Sequence, residues 1–169
     1  MKPAIPSRDE FLATPMRDGL TGFDAAYLGQ WLRMHPQVKI ITDTKDDNIT
    51  MLRILVEVSA LPLDQFIVQI YRRSELEEVC RLGFSEVIYT LYKEPNTGLS
   101  SAIGFAREHG LALTIPVERV TMDGLREAHS AGVPIYVHTI NSAQEALQLK
   151  QWGASAVYTD FLVAGTARP

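Results

Sequence analysis

The feature that most constrains this chain is a glycine rhythm. Gly83, Gly110, Gly132 and Gly153 each close a stretch with helical spacing, and each leads within a few residues into a strand-like run. A glycine just past a helix supplies the left-handed residue that ends it. A helix, a glycine and a strand make a βα unit of roughly two dozen residues. Strands separated by helices run parallel when the crossovers share one hand. The predicted strands are Val38–Thr42, Phe66–Ile70, Glu86–Leu91, Ala112–Val117, Ile135–Thr139 and Ala156–Thr159. The predicted helices are Asp47–Ala60, Glu75–Leu82, Ser101–His109, Met122–Ala131 and Ala143–Trp152. Ser74 with Glu77, and Ser142 with Glu145, have capping-box spacing at two helix starts. The fold class is α/β with about six parallel strands.

Ahead of this repeat, residues 1–20 carry Pro3, Pro6 and Pro15 and read as an extended N-terminal arm. A further helix begins near Thr21, with Thr21 as its cap and Asp24 as the acidic third position, and ends at Pro36. Phe23, Ala26, Tyr27, Trp31 and Leu32 form its apolar face. Residues 21–169 then make one domain, a size at which a core is readily buried. Hydrophobic residues at 46% support that core. A net charge of -4 argues against a dedicated nucleic-acid or anionic-membrane binder. The single cysteine, Cys80, excludes an intrachain disulfide and a zinc ribbon, and its apolar neighbours on a helix place it in the core. No apolar run is long enough to span a bilayer, and Met1-Lys2-Pro3 opens no signal peptide, so a soluble, cytoplasmic protein is expected.

Two architectures accommodate such a chain. An open doubly wound sheet suits six strands and 169 residues, whereas a closed (β/α)8 barrel normally needs about 250. Periodicity alone favours the open sheet. In both, chemistry gathers at the carboxyl ends of the strands. Asp43 and Lys45 lie two apart, on one face of an extended strand. Together they can hold a divalent cation and a phosphate, or they can form a surface salt bridge beside capping carboxylates at Asp46 and Asp47. Gln69 and Tyr71 share a face, as do Thr90 and Tyr92, and either line a pocket or form an ordinary rim. His138 is the only histidine within a predicted strand; His109 and His129 sit in last helical turns, where a positive ring suits the dipole. Asp160 caps a turn or faces the same mouth as Asp43. The nucleotide-binding glycine loops, the paired CxxC and the H-E-x-x-H motif are all missing from the sequence.

Ile135-Tyr136-Val137-His138-Thr139-Ile140-Asn141, the helix after it, and Trp152-Gly153-Ala154-Ser155-Ala156-Val157-Tyr158-Thr159-Asp160 resemble the end of the glycerophosphodiester phosphodiesterase family. Asp43-Thr44-Lys45 resembles that family's E-x-K motif. The resemblance covers most of Val38 to Asp160. It implies a TIM barrel of the phosphatidylinositol-phospholipase type and metal-dependent hydrolysis of phosphoric diesters. It places Asp43 where a metal-binding glutamate stands, Lys45 where a phosphate-contacting lysine stands, and His138 where a tryptophan lines the pocket. The candidate catalytic residues are Lys45 and His138. The candidate substrate contacts are Lys45, Gln69, Tyr71, Tyr92, His138, Asn141 and Asp160.

The chain departs from the family at its front. The family's His-Arg-Gly, Glu-Asn-Thr and Glu-x-Asp motifs and its second histidine do not precede Asp43, and Glu94-Pro95-Asn96-Thr97 recurs only in the wrong order. The resemblance thus implies an incomplete barrel entered at the helix from Gly22, after two strands. Hydrolysis by this chain alone is expected to be weak or absent, with Mg²⁺ or Ca²⁺ needed only if it is active. The alternative is a domain that binds a small phosphorylated ligand without catalysis, or one completed by a partner. A barrel that lacks two strands exposes the strands of Asp43 and Asp160 as edges, so a homo-oligomer or a strand-supplying partner is expected.

Overall fold

The computed structural model describes residues 5–16, 19–58 and 61–163. Six strands, β1 (Ile40–Ile41), β2 (Phe66–Ile70), β3 (Glu86–Thr90), β4 (Ala112–Pro116), β5 (Ile135–His138) and β6 (Ala156–Val157), form one sheet in the order of the sequence. Every neighbouring pair is parallel. The sheet curls into a half-barrel, an incomplete TIM-type barrel. A doubly wound sheet reverses its strand order at a switch point, and this one does not, so that alternative is excluded.

Helices α3 (Asn48–Glu57), α4 (Leu76–Arg81), α5 (Leu99–His109), α6 (Met122–Ser130) and α7 (Ala143–Trp152) connect successive strands. They cover the convex face. Side chains alternate across a strand, so Phe66, Val68, Ile70, Tyr89, Leu113, Ile115, Ile135 and Val137 point outward into the core. They pack there with Leu52, Val79, Ala102, Leu125, Ala128 and Leu149 from the helices. The opposite set, including Gln69, Thr90, Thr114 and His138, faces the concave side. There Thr114 Oγ1 donates to Thr90 Oγ1 at 2.8 Å across a matched pair. All four helix-ending glycines have positive φ, as their positions predict.

Several local expectations change. The arm over residues 1–20 contains a helix, α1 (Arg8–Ala13), held by a capping box between Ser7 and Glu10. The following helix, α2 (Ala25–Met34), is capped by Asp24, which accepts from Tyr27 N, and not by Thr21. Asp24 stands immediately before the helix and so reaches the first-turn amide of Tyr27, which Thr21 lies too far upstream to meet. Its buried face is Gly29 and Leu32, while Phe23 and Tyr27 are exposed. Ser74 forms no cap, because a 3₁₀ turn (Arg73–Glu75) leads directly into α4. Ser142 does cap α7 through Glu145 N. Cys80 is exposed on α4, since Leu76 and Val79 take its inward face. Strands β1 and β6 are two residues each, shorter than predicted, and they are the two edges. Ala60, at the predicted end of the helix from Asp47, lies outside the described residues. Among the described residues no helix is long and apolar enough to cross a membrane.

Candidate functional site

The carboxyl ends of all six strands surround one cavity of about 460 Å³, lined by Asp43, Lys45, Gln69, Thr90, Tyr92, Pro116, His138, Thr139 and Tyr158. Parallel strands put these ends together, because every strand points the same way and each crossover helix carries the chain back to the opposite rim.

The β1 side is built around Asp43. Thr42, the residue before it, ties the loop to β2: Gln69 N donates to Thr42 Oγ1 at 3.0 Å and Gln69 Nε2 to the Thr42 carbonyl at 2.6 Å. Tyr71 then reaches across. Its hydroxyl donates to Asp43 Oδ1 at 2.9 Å and accepts from Thr44 N at 3.0 Å. Lys45 Nζ donates to Asp43 Oδ2, so both carboxylate oxygens have donors. Burial works against the Asp43 charge, but the bonds from Lys45 and Tyr71, together with the nearby charge of Lys93, outweigh it and hold the carboxyl below its ordinary pKa. Burial first, and then the bond to Asp43, pushes the Tyr71 phenol well above its ordinary value, so it stays a donor. Asp47 caps α3 by accepting from Thr50 N at 2.8 Å, as one sequence alternative has it, while Asp46 accepts from Asp47 N.

The next strand contributes rings and a second cation. Tyr92 meets Tyr71 edge to face at 5.8 Å between centroids, and Lys93 Nζ stands 3.8 Å above the Tyr71 ring. Glu94 is structural: its carboxylate accepts from Tyr89 in β3 and from Thr97 in its own loop. Arg119 clamps the same loop through the carbonyls of Leu91 and Thr97.

On the far wall, His138 and Tyr158 lie with ring centroids 6.0 Å apart, and Tyr92 stands 6.3 Å from His138. The bond from His138 to Thr139 is cis. His138 Nε2 and Tyr158 Oη are buried and find no hydrogen-bond partner among the described residues. Buried polar atoms are nearly always paired, and an unpaired one costs roughly 1–3 kcal/mol. Burial lowers the His138 pKa, only partly offset by the charges of Glu118 and Asp43. Burial likewise pushes the Tyr158 phenol up to about 12, aided by Tyr136 and Asp43. Both side chains are neutral near pH 7.

A depressed histidine value makes stability pH-dependent in a definite direction. The contribution of neutral His138 is present above the ordinary histidine pKa and is lost as pH falls through the lower folded-state value. Urea titrations at several pH values are expected to show wild type losing stability on acidification relative to His138→Gln. Parallel stability curves, or a loss that is larger in the variant, would contradict this.

The structure gathers Asp43, Lys45, Gln69, Tyr92 and His138 at the cavity, with Tyr71 directly behind Asp43. It does not bring Asn141 and Asp160 there. They bond each other on the rim, Asn141 Nδ2 to Asp160 Oδ2 at 3.1 Å and Asp160 N to Asn141 Oδ1 at 2.9 Å, and so close the turn after β6. The residues are needed to join two strand ends, which leaves their polar atoms occupied. Tyr158 was legible by alternation, since it sits two residues past the concave Ala156; Lys93 follows a strand and carried no periodic signal.

A metal fits poorly. Among the described residues no three His, Cys, Asp or Glu side chains converge on one point. Asp43 stands alone, with both oxygens engaged by an ammonium and a phenol. Divalent Mg²⁺ or Ca²⁺ wants several oxygen ligands, and this donor set does not supply them. No family model matches the chain, and a search of curated proteins finds no match either.

Proposed function

We propose that this half-barrel binds a small phosphorylated ligand in the cavity at its strand ends and does not hydrolyse phosphodiesters by itself. The observation that carries the reading is the pair of buried atoms without a partner among the described residues, His138 Nε2 and Tyr158 Oη, on the wall of a cavity lined by Lys45, with Lys93 outside that lining over the Tyr71 ring. A ligand oxygen would give these two groups the partners they lack. Two ammonium groups against the one carboxylate of Asp43 favour an anion on that side of the mouth. Lys45 uses one N–H on Asp43 and retains two for a phosphoryl oxygen. Tyr71 and Asp43 act as positioning residues that hold Lys45 at the rim. The rings of Tyr92 and Tyr158 would flank the carbon skeleton of the ligand.

Hydrolysis is a different matter, since it would need proton-transfer groups on both sides of the phosphorus. His138 is one neutral imidazole, and the cavity lining contains no second histidine.

Isothermal titration with glycerol phosphate, with glycerol as control, tests the binding. Wild type is expected to bind the phosphate and not glycerol, and Lys45→Ala to weaken binding roughly ten- to hundredfold, the loss of one charge-assisted bond. Absence of binding, or equal affinity in Lys45→Ala, would remove the proposal. A parallel assay on glycerophosphodiesters with Mg²⁺ or Ca²⁺ is expected to show no chelator-sensitive turnover; robust turnover would replace binding with hydrolysis as the function.

A further inference from the structure

The two edges of the half-barrel carry a complementary set of features. In β1, Thr42 N donates to the Ile67 carbonyl, so the amide and carbonyl of Ile41, one residue earlier, point away from β2 to the open side. In β6, Tyr158 N donates to the Val137 carbonyl, so the same groups of Val157 point away from β5. Among the described residues, each edge thus presents one backbone pair without a strand partner, on a strand of two residues. Beside β1 lies an apolar cavity of about 320 Å³, lined by Phe23, Tyr27, Leu28 and Trp31 of the α2 region and by Ile40. Phe23 and Tyr27 are more than half exposed, although their spacing is that of a core face. At the β6 side Phe161 protrudes, 77% exposed, just past the strand. One edge is an apolar hollow, and the other carries an apolar projection.

We propose that two copies of this chain associate edge to edge, with β1 of each beside β6 of the other. A twofold axis along the barrel axis keeps all strands parallel and makes the arrangement self-complementary. It satisfies both edges of both copies at once, which a single contact would not, and closure abolishes exposed sheet edges. Phe161 of each copy would fall at the α2–β1 hollow of the other. Two six-stranded sheets make a barrel wider than an eight-stranded one, with an open interior between the two ligand sites. A partner chain that supplies only two strands would also cover the edges, but the hollow and the projection on the same molecule favour a second copy. This inference does not depend on the identity of the ligand.

Light scattering coupled to size exclusion tests it on the full chain. Wild type is expected at twice the chain mass. Ile41→Pro removes the outward amide without touching the Thr42 bond to β2, and it is expected to give a folded monomer. Ile41→Lys, which places a charge at the same edge, is the second variant should proline disturb folding as read by circular dichroism. With Cys80→Ser as background, Ile41→Cys combined with Ala156→Cys is expected to give a covalent dimer with a short bismaleimide, and neither cysteine alone to do so. A monomeric wild type, or a dimer unaffected by both edge variants and not captured by the cysteine pair, would overturn the proposal.

Discussion

Gly153→Ala is expected to lower stability by about 2–5 kcal/mol, while the formally similar Gly132→Ala lowers it by only about 1–2 kcal/mol. Both residues have positive φ, +118° and +70°, so each alanine meets the left-handed penalty of about 1–2 kcal/mol. The surroundings separate them. A Cβ on Gly153 would stand 2.8 Å from the Leu125 carbonyl oxygen and 3.1 Å from His129 Cβ, both on α6. Backbone cannot swing aside as a flexible side chain can, so α7 must shift off α6, an overpacking cost of about 1–3 kcal/mol. A Cβ on Gly132 would meet no atom of the described residues within 4 Å beyond its chain neighbours. Urea midpoints of the two variants at equal m-value measure the difference. Equal losses would mean that the α6–α7 approach is looser than the structure has it.

Asn48→Ala is expected to cost about 3 kcal/mol, and Asn48→Asp more than that at neutral pH. Asn48 is buried at the start of α3. Its Nδ2 donates to the Gln69 carbonyl at 3.0 Å and to Glu75 Oε2 at 2.9 Å, and its Oδ1 accepts from Thr44 Oγ1 at 2.9 Å. Glu75 Oε2 also accepts from Tyr71 N at 2.9 Å. One amide thereby joins the loop of Asp43, the end of β2 and the turn that carries Tyr71. Alanine leaves the Gln69 carbonyl and part of the Glu75 carboxylate unpaired. Aspartate keeps the shape but sets a second carboxylate against the first, so its penalty should relax as pH falls and one of the pair takes a proton. Urea unfolding at neutral and acid pH checks the order. Glycerol phosphate titration of any folded variant is expected to show weakened binding, because Tyr71 and the Asp43 loop lose their common anchor. An Asn48→Asp protein as stable as wild type at neutral pH would show that the hub is open to solvent.

The same residues show where sequence reading succeeds. Cavity-facing Asp43, Gln69, Thr90, Tyr92 and His138 follow from alternation on strands whose carboxyl ends must converge; Tyr158 obeys the same alternation but was not singled out in the sequence. The strand cores were legible because buried parallel strands are apolar runs; Phe66–Ile70 needed no adjustment. Asn141 and Asp160 were not separable from pocket residues in the sequence. Whether a polar side chain faces a cavity or its neighbour across a turn depends on chain geometry beyond the strand. Phe23 and Tyr27 had core spacing and yet are exposed, because α2 turns Gly29 and Leu32 inward instead.

Local rules set the number of βα units, the helix-ending glycines, the direction of the strands and the rim on which polar residues collect, because each rests on spacing along a few neighbouring residues. The tertiary structure alone decided that the sheet curls without reversing, that Asp43 is consumed by Lys45 and Tyr71, and that His138 and Tyr158 keep unpaired atoms in a cavity. Those outcomes depend on which distant groups arrive within hydrogen-bond reach, and sequence distance carries no record of that.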